Sequence, residues 1–244
     1  MHSASTSEYS LITVHDKRGT AAMDAAGVLP EFTGVAVHDA WAPYDTYTAA
    51  AHALCGSHVL RELHAVTEQS PAGQWCWATQ AADALVDLQK LTGSARTATV
   101  AATASRPETP AAAAILTRID QAALTDAVHR YRSAAQIGAT DTAPRSTKIQ
   151  AKHHALATRL ITREADYLRF TTNPAVPPDN NAAEREIRMV KVRQKVSGCL
   201  RTFTGAEQFT AIRSYLATAQ KHEIKFFHAL TTLARGQPWL PAPG

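Results

Sequence analysis

Three neighbouring stretches decide how this chain folds: EYSLITV at Glu8–Val14, RGTAAMDAAGVL at Arg18–Leu29, and GVAVH at Gly34–His38. The first is apolar and rich in β-branched residues, which reads as a strand. The second is short, alanine-rich and helical, stopped by Pro30. The third is a short buried-strand pattern that runs straight into Asp39. Strand, helix and strand in that order predict a mixed α/β (α+β) fold with sheet and helix in layers.

Outward from this unit the pattern turns helical, over Thr48 to about Gln69 and again from about Trp75 to Leu91. Residues 93–114 carry two prolines in a low-complexity run and read as a flexible connector. Two more helical stretches span about 115–137 and 148–170. A proline-rich loop at Asn173–Pro178 then precedes a long helix starting near Asn180. Gly198 and Gly205 bracket a break before a last helix over about Ala206–Ala219, and the tail GQPWLPAPG reads as poorly ordered.

At 45% hydrophobic and 19% charged, 244 residues can bury a sizeable core, although much of the apolar share is alanine. No run approaches the roughly 18 apolar residues of a spanning helix. The opening MHSASTSEYSLITV lacks the basic-then-apolar order of a secretory signal. Cys55, Cys76 and Cys199 are odd in number at unrelated spacings, which disfavours a disulfide framework and fits a reducing cytoplasm. Membrane and small secreted classes are excluded, and a cytoplasmic location is expected.

The net charge of +4 is concentrated. Between Asn181 and Arg201 the cations Arg185, Arg188, Lys191, Arg193, Lys195 and Arg201 face only Glu184 and Glu186, an excess equal to that of the whole chain. Such a stretch is the footprint of a polyanion partner, or else a solvated helix face. Glu184, Arg188, Lys191 and Lys195 share one helical face, with Ala183, Ile187 and Val190 on a neighbouring apolar one. Asn181 and Glu184 also have the spacing of a capping box, the structural alternative for that glutamate. Asp39 follows a buried strand, on the rim where α/β sheets place their ligands, or else caps a turn. Trp41, Tyr44 and Tyr47 are expected to pack beneath the strand end. Cys55 and His58, with His52 upstream, are metal-ligand types, but no second pair completes a four-ligand zinc set. A partly buried helix with local polar contacts accounts for them better.

The strings GVLPEFTGVAVHDAWAPYDTY (27–47), HALCGSHVLREL (52–63) and the segment from PDNNAAEREIRMVKVRQKVSGCLR onward (178–223) together resemble the transposases of the IS66 insertion-sequence family. The resemblance implies an RNase H-like catalytic core of the DDE type, incomplete at its N-terminal strands, with a mainly α-helical insertion. It divides the chain into a first part of the core (1–70), the insertion with its connector (71–172), a last part of the core (173–235) and a tail (236–244). Asp39 matches the second carboxylate of the triad and Glu184 the third. Both would bind Mg²⁺ or Mn²⁺ in a two-metal site that cleaves and transfers DNA strands. Arg185, Arg188, Lys191, Arg193, Lys195 and Arg201 would hold DNA backbone, and Cys55, His58, Arg61, Asp179, Asn180 and Asn181 would support the site.

No residue here matches the first aspartate of the triad, Asp16 being more plausibly a turn residue, so the metal site is expected to be incomplete and the chain a fragment unable to cleave DNA alone. Its expected partners are transposon-end and target DNA and a further copy or a full-length transposase, with no membrane. Two other readings compete: a non-catalytic DNA-binding remnant that interferes with a full-length transposase, and a helical interaction module whose basic stretch is merely solvated.

Overall fold

The computed structural model describes residues 1–71, 73–103, 112–196 and 200–241, with side chains described except at 100–103, 112, 189, 191 and 193–196. In chain order the elements are β1 (His2–Ser5), β2 (Ser10–Thr13), α1 (Thr20–Ala25), β3 (Val35–His38), β4 (Ala51–Leu54), α2 (Gly56–Glu68) and α3 (Trp77–Thr103). There follow α4 (Ala112–Leu116), α5 (Gln121–Asp141), α6 (Lys148–Thr162), α7 (Glu164–Tyr167), α8 (Arg169–Thr172), α9 (Asn181–Val196), α10 (Phe203–Lys221) and α11 (Phe226–Ala234). Short 3₁₀ turns occupy Leu29–Glu31 and Ala42–Thr46. The chain is mixed α and β with helix dominant, and divides into two compact units.

One unit combines 1–34, 42–50 and 181–244. Its sheet is the antiparallel hairpin β1–β2, in the register Ser5↔Ser10 to His2↔Thr13. The outer edge of β2 is closed by side chains. The amide of Ser10 donates to Thr218 Oγ1 (3.1 Å) and that of Ile12 to Ser214 Oγ (2.8 Å). Thr218 Oγ1 donates in turn to the Ser10 carbonyl. Two hydroxyls one helical turn apart, about 6 Å, match the nearly 7 Å spacing of alternate strand residues, so one face of α10 substitutes for a neighbouring strand. Lys221 closes the hairpin turn, donating to the carbonyls of Thr6 and Tyr9 and to Ser5 Oγ. Tyr47 is buried, as its apolar ring requires, and its hydroxyl donates to Asp24 Oδ1 on α1 (2.8 Å).

The other unit combines 35–41 and 51–180. β3 and β4 pair in parallel, Val35 opposite Ala51 and His38 opposite Leu54. The expected helix from Thr48 is therefore a strand over its second turn. Ala-His-Ala-Leu has no β-branched residue and only its pairing with β3 makes it extended, a tertiary override of local propensity. The far edge of β4 is again met by a side chain, Arg169 Nε donating to the His52 carbonyl (2.7 Å).

Helices make up the rest of this unit, around a core that includes Leu63, Leu85, Leu88, Tyr131 and Leu160. Many of its buried positions are alanine, among them Ala78, Ala81, Ala84, Ala127 and Ala134. Small residues draw the helices together, and α3 packs most extensively against α5. At Gly138 the approach leaves no room for a side chain, since a Cβ would stand 2.4 Å from the Trp77 ring. Tyr131 is fully buried because its hydroxyl donates to the Leu160 carbonyl in the last turn of α6 (2.9 Å).

The connector expected over 93–114 differs from the structure in part. Its first residues continue α3 to Thr103, their alanine and threonine content being compatible with helix, and 104–111 lie outside the described residues. Gly205 sits inside α10, whose N-cap Thr202 accepts from its amide, whereas Gly198 and Cys199 lie outside the described residues. The tail is packed at Trp239, whose ring lies 5.0 Å from that of His222 and whose amide donates to Tyr215 Oη. Residues 242–244 lie outside the described ones.

Candidate functional site

Asp39 stands at the carboxyl end of β3 with its side chain exposed, and its Oδ1 accepts from the Trp41 amide (3.2 Å). Between them Ala40 has φ 66°, a left-handed conformation that costs an alanine about 1 kcal/mol. Two histidines hold this turn. His38 Nδ1 accepts from the Ala40 amide, which leaves the His38 proton on Nε2, directed at His52 Nδ1 (3.0 Å). His38 is buried and meets His52 edge to face across the β3–β4 pair. The carboxylate thus projects from a tight, doubly tethered turn, while Trp41 is exposed rather than packed beneath it because the left-handed step carries the chain away.

The Cys55 region gathers three of the expected supporting residues. Cys55 precedes α2, and its buried Sγ accepts from the Asn180 amide (3.3 Å). The Gly56 amide donates to the Pro178 carbonyl (2.9 Å), and Ser57 Oγ reaches Asp179 Oδ2 (3.5 Å). Residues 178–180 therefore dock on the β4–α2 junction, and only a glycine fits there. A Cβ at position 56 would meet the Pro178 carbonyl at 2.9 Å and the Gln89 side chain at 2.5 Å. Burial pushes the Cys55 thiol above its ordinary range, against the opposing pull of backbone N–H groups from Asn180, His58 and Ser57. At this junction the Cys55 sulfur serves as a hydrogen-bond acceptor. His58 and Arg61 both lie on α2, Arg61 donating from Nε to the Ser57 carbonyl.

Glu184 lies in the first turn of α9, where the helix dipole favours a carboxylate, and is half-buried. Asn181 is the first residue of this helix. The apolar face foreseen from spacing is the docked one. Val190 is buried, α9 packs on β1 and β2, and Ser3 Oγ donates to the Ala183 carbonyl. Glu186, counted with Glu184 as an acid of the basic stretch but given no role there, belongs to that docked face and accepts from Ser10 Oγ (3.0 Å), with Lys221 Nζ at 3.7 Å. Arg185, Arg188 and Arg201 are exposed, and among the described residues Arg185 and Arg188 have no ion-pair partner. The side chains of Lys191, Arg193 and Lys195 lie outside the described ones.

Asp39 belongs to one compact unit and Glu184 to the other. Their donor chemistry fits a hard divalent cation, which prefers carboxylate oxygens. Among the described residues no group of three or more His, Cys, Asp or Glu side chains is gathered to hold a metal. The residues missed by sequence reasoning are His38 as the tether of the Asp39 turn and Glu186 as the docked acid; only strand register and helix docking reveal them.

Comparison with protein families defines the class of this chain as a transposase. The family model described as Transposase IS66 family matches residues 1–208. The chain belongs to the IS66 family of transposases. No curated protein and no solved structure matches it. No helix among the described residues is long and apolar enough to cross a membrane.

Proposed function

We propose that this chain acts in DNA transposition as part of a DDE transposase with an RNase H-like core, Asp39 and Glu184 being two of its metal carboxylates. The observation that carries the proposal is the Asp39 turn. An exposed carboxylate at the carboxyl end of a parallel strand precedes a left-handed Ala40, and that turn is tethered by Asp39 Oδ1 and by His38. Strained, over-determined residues mark sites where geometry matters. The antiparallel pair β1–β2 and the parallel pair β3–β4 are both of the kind an RNase H-like sheet contains.

Asp39 and Glu184 would hold Mg²⁺ or Mn²⁺ through their carboxylate oxygens. Such an ion activates the attacking oxygen and stabilises the leaving oxygen of a phosphodiester displacement. The remaining work falls to this chain's own groups. Arg185 and Arg188, which have no ion-pair partner among the described residues, hold phosphates without reading sequence. The Trp41 amide, bonded to Oδ1, leaves Oδ2 of Asp39 available. DNA ends and target DNA are the partners this reading requires.

A Mg²⁺-dependent nicking and strand-transfer assay on transposon-end DNA tests the proposal. Because Asp39 and Glu184 match only two of the three carboxylates, the chain alone is expected to bind DNA with strong salt dependence and not to cleave it. Added to an active IS66-family transposase, it lowers strand transfer by competing for ends. Cleavage by the chain alone that is abolished in Asp39→Asn and Glu184→Gln would establish a complete enzyme. The absence of salt-sensitive DNA binding would remove the nucleic-acid reading altogether. Exposed Arg185 and Arg188 also favour a second reading, a DNA binder with no catalytic part, and Asp39→Asn separates the two. It weakens Mn²⁺ binding only if the carboxylate is a metal ligand.

A further inference from the structure

α11 is built inside out. Its inward positions include Ala229, fully buried against Leu216 and Ala219 of α10, while its largest apolar side chains face solvent. Phe227 is 78% exposed, Phe226 52% and Leu230 38%. The two phenylalanine rings meet edge to face, 5.4 Å apart, so they form one ridge rather than two scattered side chains. The helix is fixed in this orientation, since the Ala229 carbonyl accepts from Tyr215 Oη (3.2 Å) and Trp239 packs into the same cluster. Surface propensity does not account for this arrangement, because turning the helix would bury two rings at the expense of a methyl group. The ridge lies beyond the residues matched by the family model.

Charges at the two ends of the helix indicate what covers it. Glu223, in the turn before α11, and Arg235, immediately after it, are both exposed, and neither has an ion-pair partner among the described residues. They are opposite in sign and lie nearly equidistant from Ala229 and Leu230 along the chain. A two-fold axis through the middle of the helix would therefore set Glu223 of each copy beside Arg235 of the other. Lys225 would face the neutral Leu233–Ala234 end, so no like charges oppose one another. Isologous contacts of this kind are self-complementary by construction.

We propose that α11 is a homotypic contact: two copies of this chain pair their α11 helices antiparallel, interleaving Phe226, Phe227 and Leu230, with reciprocal Glu223–Arg235 ion pairs at the ends. A large aromatic side chain has 150–250 Å² to bury, so at these exposures the ridge supplies on the order of 300 Å² per copy. That is well below the roughly 800 Å² per partner of a stable complex, and the dimer is of the weak, concentration-dependent class.

Sedimentation equilibrium of the full chain between about 10 and 500 μM, a range that brackets weak association, tests this directly. The wild type shifts from monomer toward dimer across the range. Phe227→Ser, which removes an exposed ring and leaves the core intact, weakens association at least about tenfold with an unchanged thermal transition. Glu223→Arg and Arg235→Glu each weaken it, and the double swap restores it, because the reciprocal pairs re-form with their signs exchanged. A wild type that stays monomeric at the highest concentration overturns the proposal. So does a dimer indifferent to Phe227→Ser, or a double swap no better than the single variants.

Discussion

Replacing Ser214 by alanine and Thr218 by valine removes the two hydroxyls that line the outer edge of β2 while preserving helix propensity and nearly all side-chain volume. The cost follows from which groups lose partners. The Ile12 amide loses its acceptor at 2.8 Å and the Ser10 amide its acceptor at 3.1 Å. The Ser10 carbonyl loses the Thr218 hydroxyl at 3.2 Å. The Ser214 hydroxyl has one proton, and the Thr210 carbonyl at 2.8 Å takes it in preference to the Ile12 carbonyl at 3.3 Å, so this loss is not counted against the strand. Three strand bonds at a net ~1 kcal/mol each give about 3 kcal/mol. Ser10 and Ile12 are both buried, so water does not readily replace the missing partners. Urea unfolding of the double variant is the first assay, with Thr231→Val as control. Among the described residues that hydroxyl bonds only to the Phe227 carbonyl of its own helix, and its removal is expected to cost a few tenths of a kcal/mol. Amide hydrogen exchange is the second. The Ser10 and Ile12 amides face α10 and exchange at least about tenfold faster, whereas those of Leu11 and Thr13 face β1 and change less. A stability loss below about 0.5 kcal/mol with unchanged exchange at Ser10 and Ile12 would refute the idea that α10 acts as a surrogate strand.

Two further outcomes are expected. Gly138→Ala places a Cβ 2.4 Å from the Trp77 ring and forces α3 and α5 apart, costing about 1–3 kcal/mol as an overpacked core position, read from the urea midpoint. Burial, reinforced by the bond to Asp24, pushes the Tyr47 hydroxyl up to about 12. The unfolded tyrosine loses its proton near pH 10, so between pH 10 and 12 the folded chain holds the proton the unfolded chain has released. Stability therefore falls as pH rises through that window. Tyr47→Phe flattens the fall in a pH series of unfolding midpoints, and an unchanged slope contradicts the assignment.

What could be read in advance followed local chemistry. β2 and β3 were legible because Leu-Ile-Thr-Val and Val-Ala-Val are β-branched runs. α9 was legible because its apolar residues recur at helical spacing behind a polar N-terminus. β4 was not, since Ala-His-Ala-Leu is extended only by its pairing with Val35–His38. α11 was missed because its apolar residues face outward, so the usual pattern of buried and solvated positions is inverted. At the candidate site the carboxylates came from motif spacing, while the His38–His52 tether depends on a parallel register no local window contains. The docking of Asn180 on Cys55 joins residues 125 positions apart and is likewise a property of the fold alone.

The bonds that complete the β1–β2 hairpin span nearly the whole chain: Ser10 to Thr218 is a separation of 208 residues, and Lys221 reaches back 215 to Thr6. Contacts so distant in sequence form late, because the chain between them must first be ordered. During synthesis, at about 5–20 residues per second, the first two strands emerge and wait on the order of ten to forty seconds before α10 exists to seal them. The β1–β2 hairpin thus spends its early life as an unfinished edge, and it becomes part of a cooperative unit only when α10 has left the ribosome.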